Sequence, residues 1–250
     1  MTAAPSVLLG KRILITGGAG GVGRAVAARM LAHGARVLLT DREELALRAV
    51  LDGFGADARG RAETVTADLA SAPGLSRLFD RVDDWLEGLD ILIACAGVGS
   101  GPLAEMDDAD WRYVVESNLM SYVACTKAAL ERIKASGDRQ GMVILIGSIS
   151  VHIKAVGESV YNAAKGGVAS FAETLRKELI PDGIRITLIE PGAIASSMQP
   201  FSLEERRRMM EAHKLLPPEE VADAILFAAT RPPGVDVVTL RIEPLDQKIW

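Results

Sequence analysis

Apolar runs rich in valine, isoleucine and leucine recur along the chain at residues 12–16, 35–40, 64–68, 89–94, 142–147, 184–190 and 235–242, each separated from the next by a longer segment. Those segments carry apolar residues at helical intervals, as in Val22, Val26, Met30 and Leu31, and again in Leu75, Leu78, Phe79 and Val82. Short, continuously apolar runs read as strands buried on both faces. A parallel neighbour can be laid down only after a crossover long enough to hold a helix. The expected fold is therefore a single α/β domain over residues 1–250, a doubly wound parallel sheet of about seven strands with helices on both faces. No linker, repeat or low-complexity tract interrupts the alternation.

Composition narrows the function classes. With 49% hydrophobic and 24% charged residues in 250, the chain has the makings of one globular core. Its longest apolar stretches, such as residues 89–99, fall far short of the roughly 18 that a spanning helix requires. Residues 1–11 show no basic cluster followed by an apolar core and a small-residue cleavage site, so no secretory signal is read and a cytoplasmic location is expected. Cys95 and Cys125 are too few for a disulfide framework, and both are expected to be reduced. His33, His152 and His213 are scattered singly, so no metal site is expected. A net charge of -5 gives no footprint for nucleic acid. The densest basic run, Arg206, Arg207 and Arg208, is bracketed by Glu204, Glu205 and Glu211 and reads as the solvated side of a helix.

The first strand runs directly into Thr16-Gly17-Gly18-Ala19-Gly20-Gly21-Val22-Gly23, which opens the first helix. This is where a dinucleotide-binding loop belongs. Glycines at 17, 21 and 23 permit a tight turn and close backbone approach, and the helix N-terminus offers unpaired N–H groups and a positive dipole end to a pyrophosphate. Asp41, eighteen residues beyond Gly23 at the end of the second strand, stands near the offset at which a carboxylate accepts from the adenosine ribose hydroxyls; it also reads as an N-cap. Asp68, at the end of the third strand, is a candidate for the adenine side or a cap for the next turn.

The helical stretch 160–179 holds Tyr161 and Lys165 four residues apart, hence on one face. An ammonium beside the phenol is expected to favour phenolate and to lower a pKa that is otherwise about 10.

Tyr161-Asn162-Ala163-Ala164-Lys165 matches YxxxK and the glycine loop matches TGxxxGxG, and together they resemble the classical short-chain dehydrogenase/reductase family over nearly the whole chain. Asn118, Ser148 thirteen residues before Tyr161, and Pro191-Gly192 follow in the family's order. The resemblance implies a Rossmann fold and an NAD(P)-dependent alcohol dehydrogenase or carbonyl reductase. In that scheme Tyr161 exchanges the proton with the substrate oxygen while hydride passes to or from the nicotinamide. Ser148 holds that oxygen, Lys165 lowers the Tyr161 pKa and bonds the nicotinamide ribose, and Asn118 anchors a water leading from Lys165 to solvent. The cofactor contacts implied are Gly17, Gly20, Gly21, Val22, Gly23, Asp41, Arg42, Asp68, Leu69, Ala96, Gly97, Tyr161, Lys165, Pro191, Gly192, Ile194 and Ser196.

Two departures stand out. The family's Asn-Asn-Ala-Gly after the fourth strand is Ala94-Cys95-Ala96-Gly97, without the amides that normally tie neighbouring strands. After Pro191-Gly192 the usual threonine gives way to Ser196, which keeps a hydroxyl. The C-terminal part looks like the branch of 3-hydroxy acid dehydrogenases and semialdehyde reductases, whose members generally favour NADP. Asp41 points instead to NAD, with an NADP-dependent reductase through Arg42 as the alternative and a nucleotide-binding regulatory module as a third class.

Residues 193–216 are expected to form a substrate lid, made largely apolar by Met198, Phe201 and Met209, with Ile149, His152 and Val160 as further pocket residues. The partner is a small alcohol or carbonyl compound. A homo-oligomer, dimer or tetramer, is expected from the resemblance, and Val168, Phe171, Leu175 and Leu179 recur at helical spacing for a core face, an interface or both.

Overall fold

The computed structural model describes residues 8–137 and 140–247. Residues 1–7, the first part of the stretch read for a secretory signal, lie outside the described residues. In chain order the elements are β1 (Arg12–Thr16), α1 (Gly21–Ala32), β2 (Arg36–Asp41), α2 (Glu44–Asp52), the one-turn α3 (Ala56–Arg59), β3 (Ala62–Thr66), α4 (Ala72–Arg81), β4 (Ile91–Ala94), α5 (Asp108–Val115), α6 (Ser121–Ala135) and β5 (Met142–Ile146). The one-turn α7 (Ser150–Ile153), α8 (Ser159–Leu179), β6 (Arg185–Pro191), α9 (Leu203–Glu211), α10 (Pro218–Ala229) and β7 (Thr239–Ile242) complete them.

Among the described residues the sheet has seven strands in the order β3-β2-β1-β4-β5-β6-β7, all parallel. The period-2 alternation of strand side chains divides the core in two. Ile13, Ile15, Val37, Leu39, Ile93 and Ile144 face α1 and α10, where Val26, Met30, Val221 and Ile225 are buried. Leu14, Leu38, Leu92, Val143, Leu145 and Leu188 face the other way, onto Leu78, Tyr122, Ala129, Val168 and Leu175 from α4, α6 and α8.

The expectation that every run is buried on both faces fails at β3 and β7. These are the sheet's two edges and are only partly covered. β7 is also shorter than its apolar run, because residues 232–235 form a turn in which Val235 N donates to Pro232 O. α8 buries Val168, Leu175 and Leu179 in the chain's own core, and Phe171 is partly buried against the same cluster.

Chain order reverses across the sheet between β1 and β4, and the crevice outside their carboxyl ends is where an open α/β sheet receives a ligand. α5 runs into α6 through a π turn, Glu116–Met120. Such turns leave carbonyls without their usual helical partner and often mark functional sites. Among the described residues no helix is long and apolar enough to cross a membrane, and no cluster of three or more metal-ligating side chains occurs.

Candidate active site

The glycine turn is dictated by backbone crowding. Gly17 takes φ +68°, and a Cβ there would lie 2.8 Å from the Ala96 backbone; a Cβ on Gly23 would lie 2.2 Å from the Gly17 carbonyl oxygen. No side chain fits either place. Thr16 Oγ1 accepts from the Cys95 and Ala96 amides at 3.2 and 3.1 Å, which joins the ends of β1 and β4 across the crevice. On the other side Gly18 N donates to Thr40 O at 2.9 Å and Ala19 N to Asp41 Oδ2 at 3.0 Å. Gly20 caps α1 without a side chain, so the first N–H groups of that helix are left for an anion.

A cleft of about 400 Å³ opens over this turn. Its lining takes in all of the expected cofactor contacts, namely Gly17, Gly20, Gly21, Val22, Gly23, Asp41, Arg42, Asp68, Leu69, Ala96, Gly97, Pro191, Gly192, Ile194 and Ser196, together with Asn118, Ser148, Tyr161 and Lys165. The Thr40 hydroxyl is buried in the wall with no hydrogen-bond partner. A narrow floor free of side chains, a helix N-terminus, a carboxylate at the β2 end and an orphaned buried hydroxyl together fit a dinucleotide. Asp68 also caps the turn that follows β3, its Oδ1 accepting from Ala70 N at 3.0 Å.

Of the five substrate-pocket residues expected, Met198 lines the cleft, while Ile149, His152, Val160 and Phe201 are not among its lining residues. Ile149 is buried, and its amide donates to Pro191 O at 2.9 Å. His152 turns away to Glu190, its Nε2 lying 3.0 Å from Glu190 Oε2. Sequence reasoning missed Tyr113, whose hydroxyl accepts from Arg42 Nη1 at 2.6 Å and which lines the cleft beside it. A tyrosine in an amphipathic helix carries no signal of that kind.

Asn118 is fully buried in the π turn. Its Nδ2 donates to Val98 O and Val114 O, each at 2.9 Å, and its Oδ1 accepts from Val98 N at 3.2 Å. Gly97 permits this, because a Cβ there would sit 2.5 Å from Asn118 Oδ1. The loop after β4, which lacks the family's two asparagines, is thus held by Thr16 on one side and Asn118 on the other.

Tyr161 and Lys165 lie one turn apart near the start of α8. Lys165 Nζ donates to Ile146 O at 2.8 Å and to the Tyr122 hydroxyl at 3.1 Å, and lies 5.9 Å from the Tyr161 ring centroid. Burial pulls Lys165 down to about 7. The expected lowering of Tyr161 by Lys165 is corrected here. Burial pushes the phenol above its usual range, a hydrogen bond from Ser148 opposes the rise, and Glu158 adds to it. Lys165 is engaged instead by Tyr122 and a carbonyl, and desolvation is the largest influence on the phenol.

The short chain dehydrogenase family matches residues 11–207. The 3-oxoacyl-[acyl-carrier-protein] reductase FabG of Escherichia coli is 31% identical over 226 residues, covering 88% of this chain and 90% of its own. The cis-4-hydroxycyclohexanecarboxylate dehydrogenase of Sinomonas cyclohexanicum is 33% identical, covering 87% and 88%. The (3R)-3-hydroxyacyl-CoA dehydrogenase of Rattus norvegicus is 30% identical, covering 88% and 90%. Among solved structures, a dehydrogenase/reductase from Sinorhizobium meliloti superposes with a TM-score of 0.83 at 28% identity over 96% of both chains. A short chain dehydrogenase from Burkholderia cenocepacia in complex with NADP superposes with a TM-score of 0.82 at 27% identity, over 95% of this chain and 98% of its own.

Proposed function

The chain belongs to the short chain dehydrogenase family, and on that premise we propose that it transfers a hydride between NAD(H) and a secondary alcohol or its ketone, with Tyr161 as general acid and base. The observation that carries the reading is the junction of Ser148, Tyr161 and Lys165 in one cleft with the glycine turn. The three relatives named above are each named for a secondary alcohol or a ketone, which supports the same substrate class.

The bound nicotinamide supplies or accepts the hydride. The glycine turn and the α1 N-terminus would hold the pyrophosphate, Asp41 the adenosine ribose, Lys165 the nicotinamide ribose and Ser196 the carboxamide. Tyr161 gives its phenolic proton to the substrate oxygen during reduction and takes it back during oxidation, and Ser148 steadies that oxygen with a hydrogen bond. Burial keeps Tyr161 a phenol at neutral pH, which is the form that reduction needs. Oxidation needs the phenolate and should therefore gain with rising pH.

The preference for NAD rests on Asp41, whose carboxylate lines the cleft and would repel a 2′-phosphate at contact distance. Arg42, which would favour NADP, is drawn to Tyr113 and lies 3.3 Å from Glu43. An NADP-dependent reductase is the second reading, favoured by the place of Arg42 in the cleft wall and by the NADP held by a solved relative. We assign residues 193–216 as the substrate lid, supported by the pairing of Ile194 with Leu216 that closes the excursion at its base.

Tyr161→Phe tests the mechanism. Turnover should drop about a hundredfold or more while cofactor binding persists. Near-normal turnover would overturn it. Comparing kcat/KM for the two cofactors decides between the readings.

A further inference from the structure

We propose that Tyr122 is a positioning residue for Lys165, its phenolic hydroxyl fixing the ammonium at the rear wall of the cleft. The inference rests on the role given to Lys165 above.

Tyr122 lies in the first turn of α6, beside Ser121, which lines the cleft, but it points the other way, into the core, and is 1% exposed. Burying a phenolic hydroxyl is costly unless it is hydrogen-bonded. The bond it makes here is to Lys165 Nζ, at 3.1 Å, with the same nitrogen 4.6 Å from its ring centroid. Among the described residues no other side chain does this work. β4 ends at Ala94 and is followed by Cys95, neither of which brings a side-chain oxygen, and the Asn118 amide is committed to the Val98 and Val114 backbone. Among the described residues, Tyr122 is the one side chain hydrogen-bonded to Lys165.

An ammonium has three N–H donors. Two are taken by Tyr122 and Ile146 O, which leaves one for the cleft. A lysine carries four rotatable bonds and much rotamer entropy. Two fixed acceptors remove most of that freedom before any ligand arrives.

The titratable groups around this pair are Tyr161, Cys95 and Cys125, with Glu158 acting on Tyr161. Burial pulls Lys165 down to about 7, whereas a hydroxyl that accepts from it favours the charged form. Deleting the hydroxyl should therefore let Lys165 lose its proton at lower pH.

Tyr122→Phe keeps the ring and removes only the oxygen. Turnover in the direction of reduction should fall about tenfold at pH 8, and its alkaline decline should move about one unit towards acid, the size expected for a hydrogen bond to a charged group. Tyr122→Met, which fills the space without a hydroxyl, should move the decline the same way, so the inference does not hang on one variant. Lys165→Met is measured in parallel. If Lys165→Met is inactive while both Tyr122 variants keep the wild-type kcat and pH profile, Tyr122 is core filler and the inference is overturned. If Lys165→Met itself stays active, the mechanism fails first.

Discussion

The carboxylate of Asp41 accepts a hydrogen bond from the Ala19 amide at 3.0 Å through Oδ2 and from the Glu43 amide at 3.2 Å through Oδ1. The residue proposed to read the ribose is therefore also a strut of the glycine turn, and the two roles can be separated. Asp41→Asn keeps an acceptor and loses the charge; its ratio of kcat/KM for NADP over NAD should rise at least tenfold with little change in Tm. Asp41→Ala should shift the same ratio and also lower Tm by about 2–4 °C, the scale of 1 kcal/mol in a chain of this size. A ratio that does not move in either variant would remove Asp41 from cofactor selection.

Glu190 has 7% of its side chain exposed, and its side-chain partner is His152, which is 45% exposed and places Nε2 3.0 Å from Glu190 Oε2. Removing one partner strands the other, whereas neutralising both is far milder. His152→Ala should cost about 1–3 kcal/mol, and adding Glu190→Gln should return part of the lost stability. Equilibrium urea unfolding of the two single variants and the double variant reads the coupling. Simple additivity would mean that the pair contributes nothing.

Lys165 has a folded pKa of about 7, below the ordinary lysine value of about 10.4, so between those limits the unfolded chain binds the extra proton. Its burial opposes folding fully below pH 7, and that penalty fades as pH rises towards 10. Lys165→Met removes the titration. The Tm of the wild type should therefore climb relative to that of Lys165→Met between pH 7 and 9.5, and parallel curves across this range would show that Lys165 titrates normally.

Much of the fold was legible because a parallel sheet demands uninterrupted apolar strands at helix-length intervals, and glycines 17 and 23 are required by contacts that tolerate no Cβ. Edges were legible only in part. β3 and β7 carry polar and charged residues, Glu63, Thr64 and Thr66 and then Thr239 and Arg241, which the wholly apolar β4 and β5 lack, a difference passed over when all seven runs are read alike. At the site, the helical spacing of Tyr161 and Lys165 puts them on one helical face, but spacing carries no information about desolvation, and it is desolvation that sets the direction of both shifts. Tyr122 and Tyr113 come from helices whose sequences advertise packing, and Glu190 from a strand that reads as core. The partners of all three are distant in the chain.

The π turn at Glu116–Met120 works as a phase shifter. It holds one residue more than an α-helical turn would, so the face that α5 presents is offset by about 100° from the one that α6 would continue without it. Tyr113 lines the crevice and Tyr122 lies in the core, with Asn118 bonded to the carbonyl of Val114 within the bulge. Segment length here behaves like the tooth count of a gear. Dropping a single residue would mesh the two halves wrongly, so this stretch should resist deletions that the neighbouring surface loops absorb.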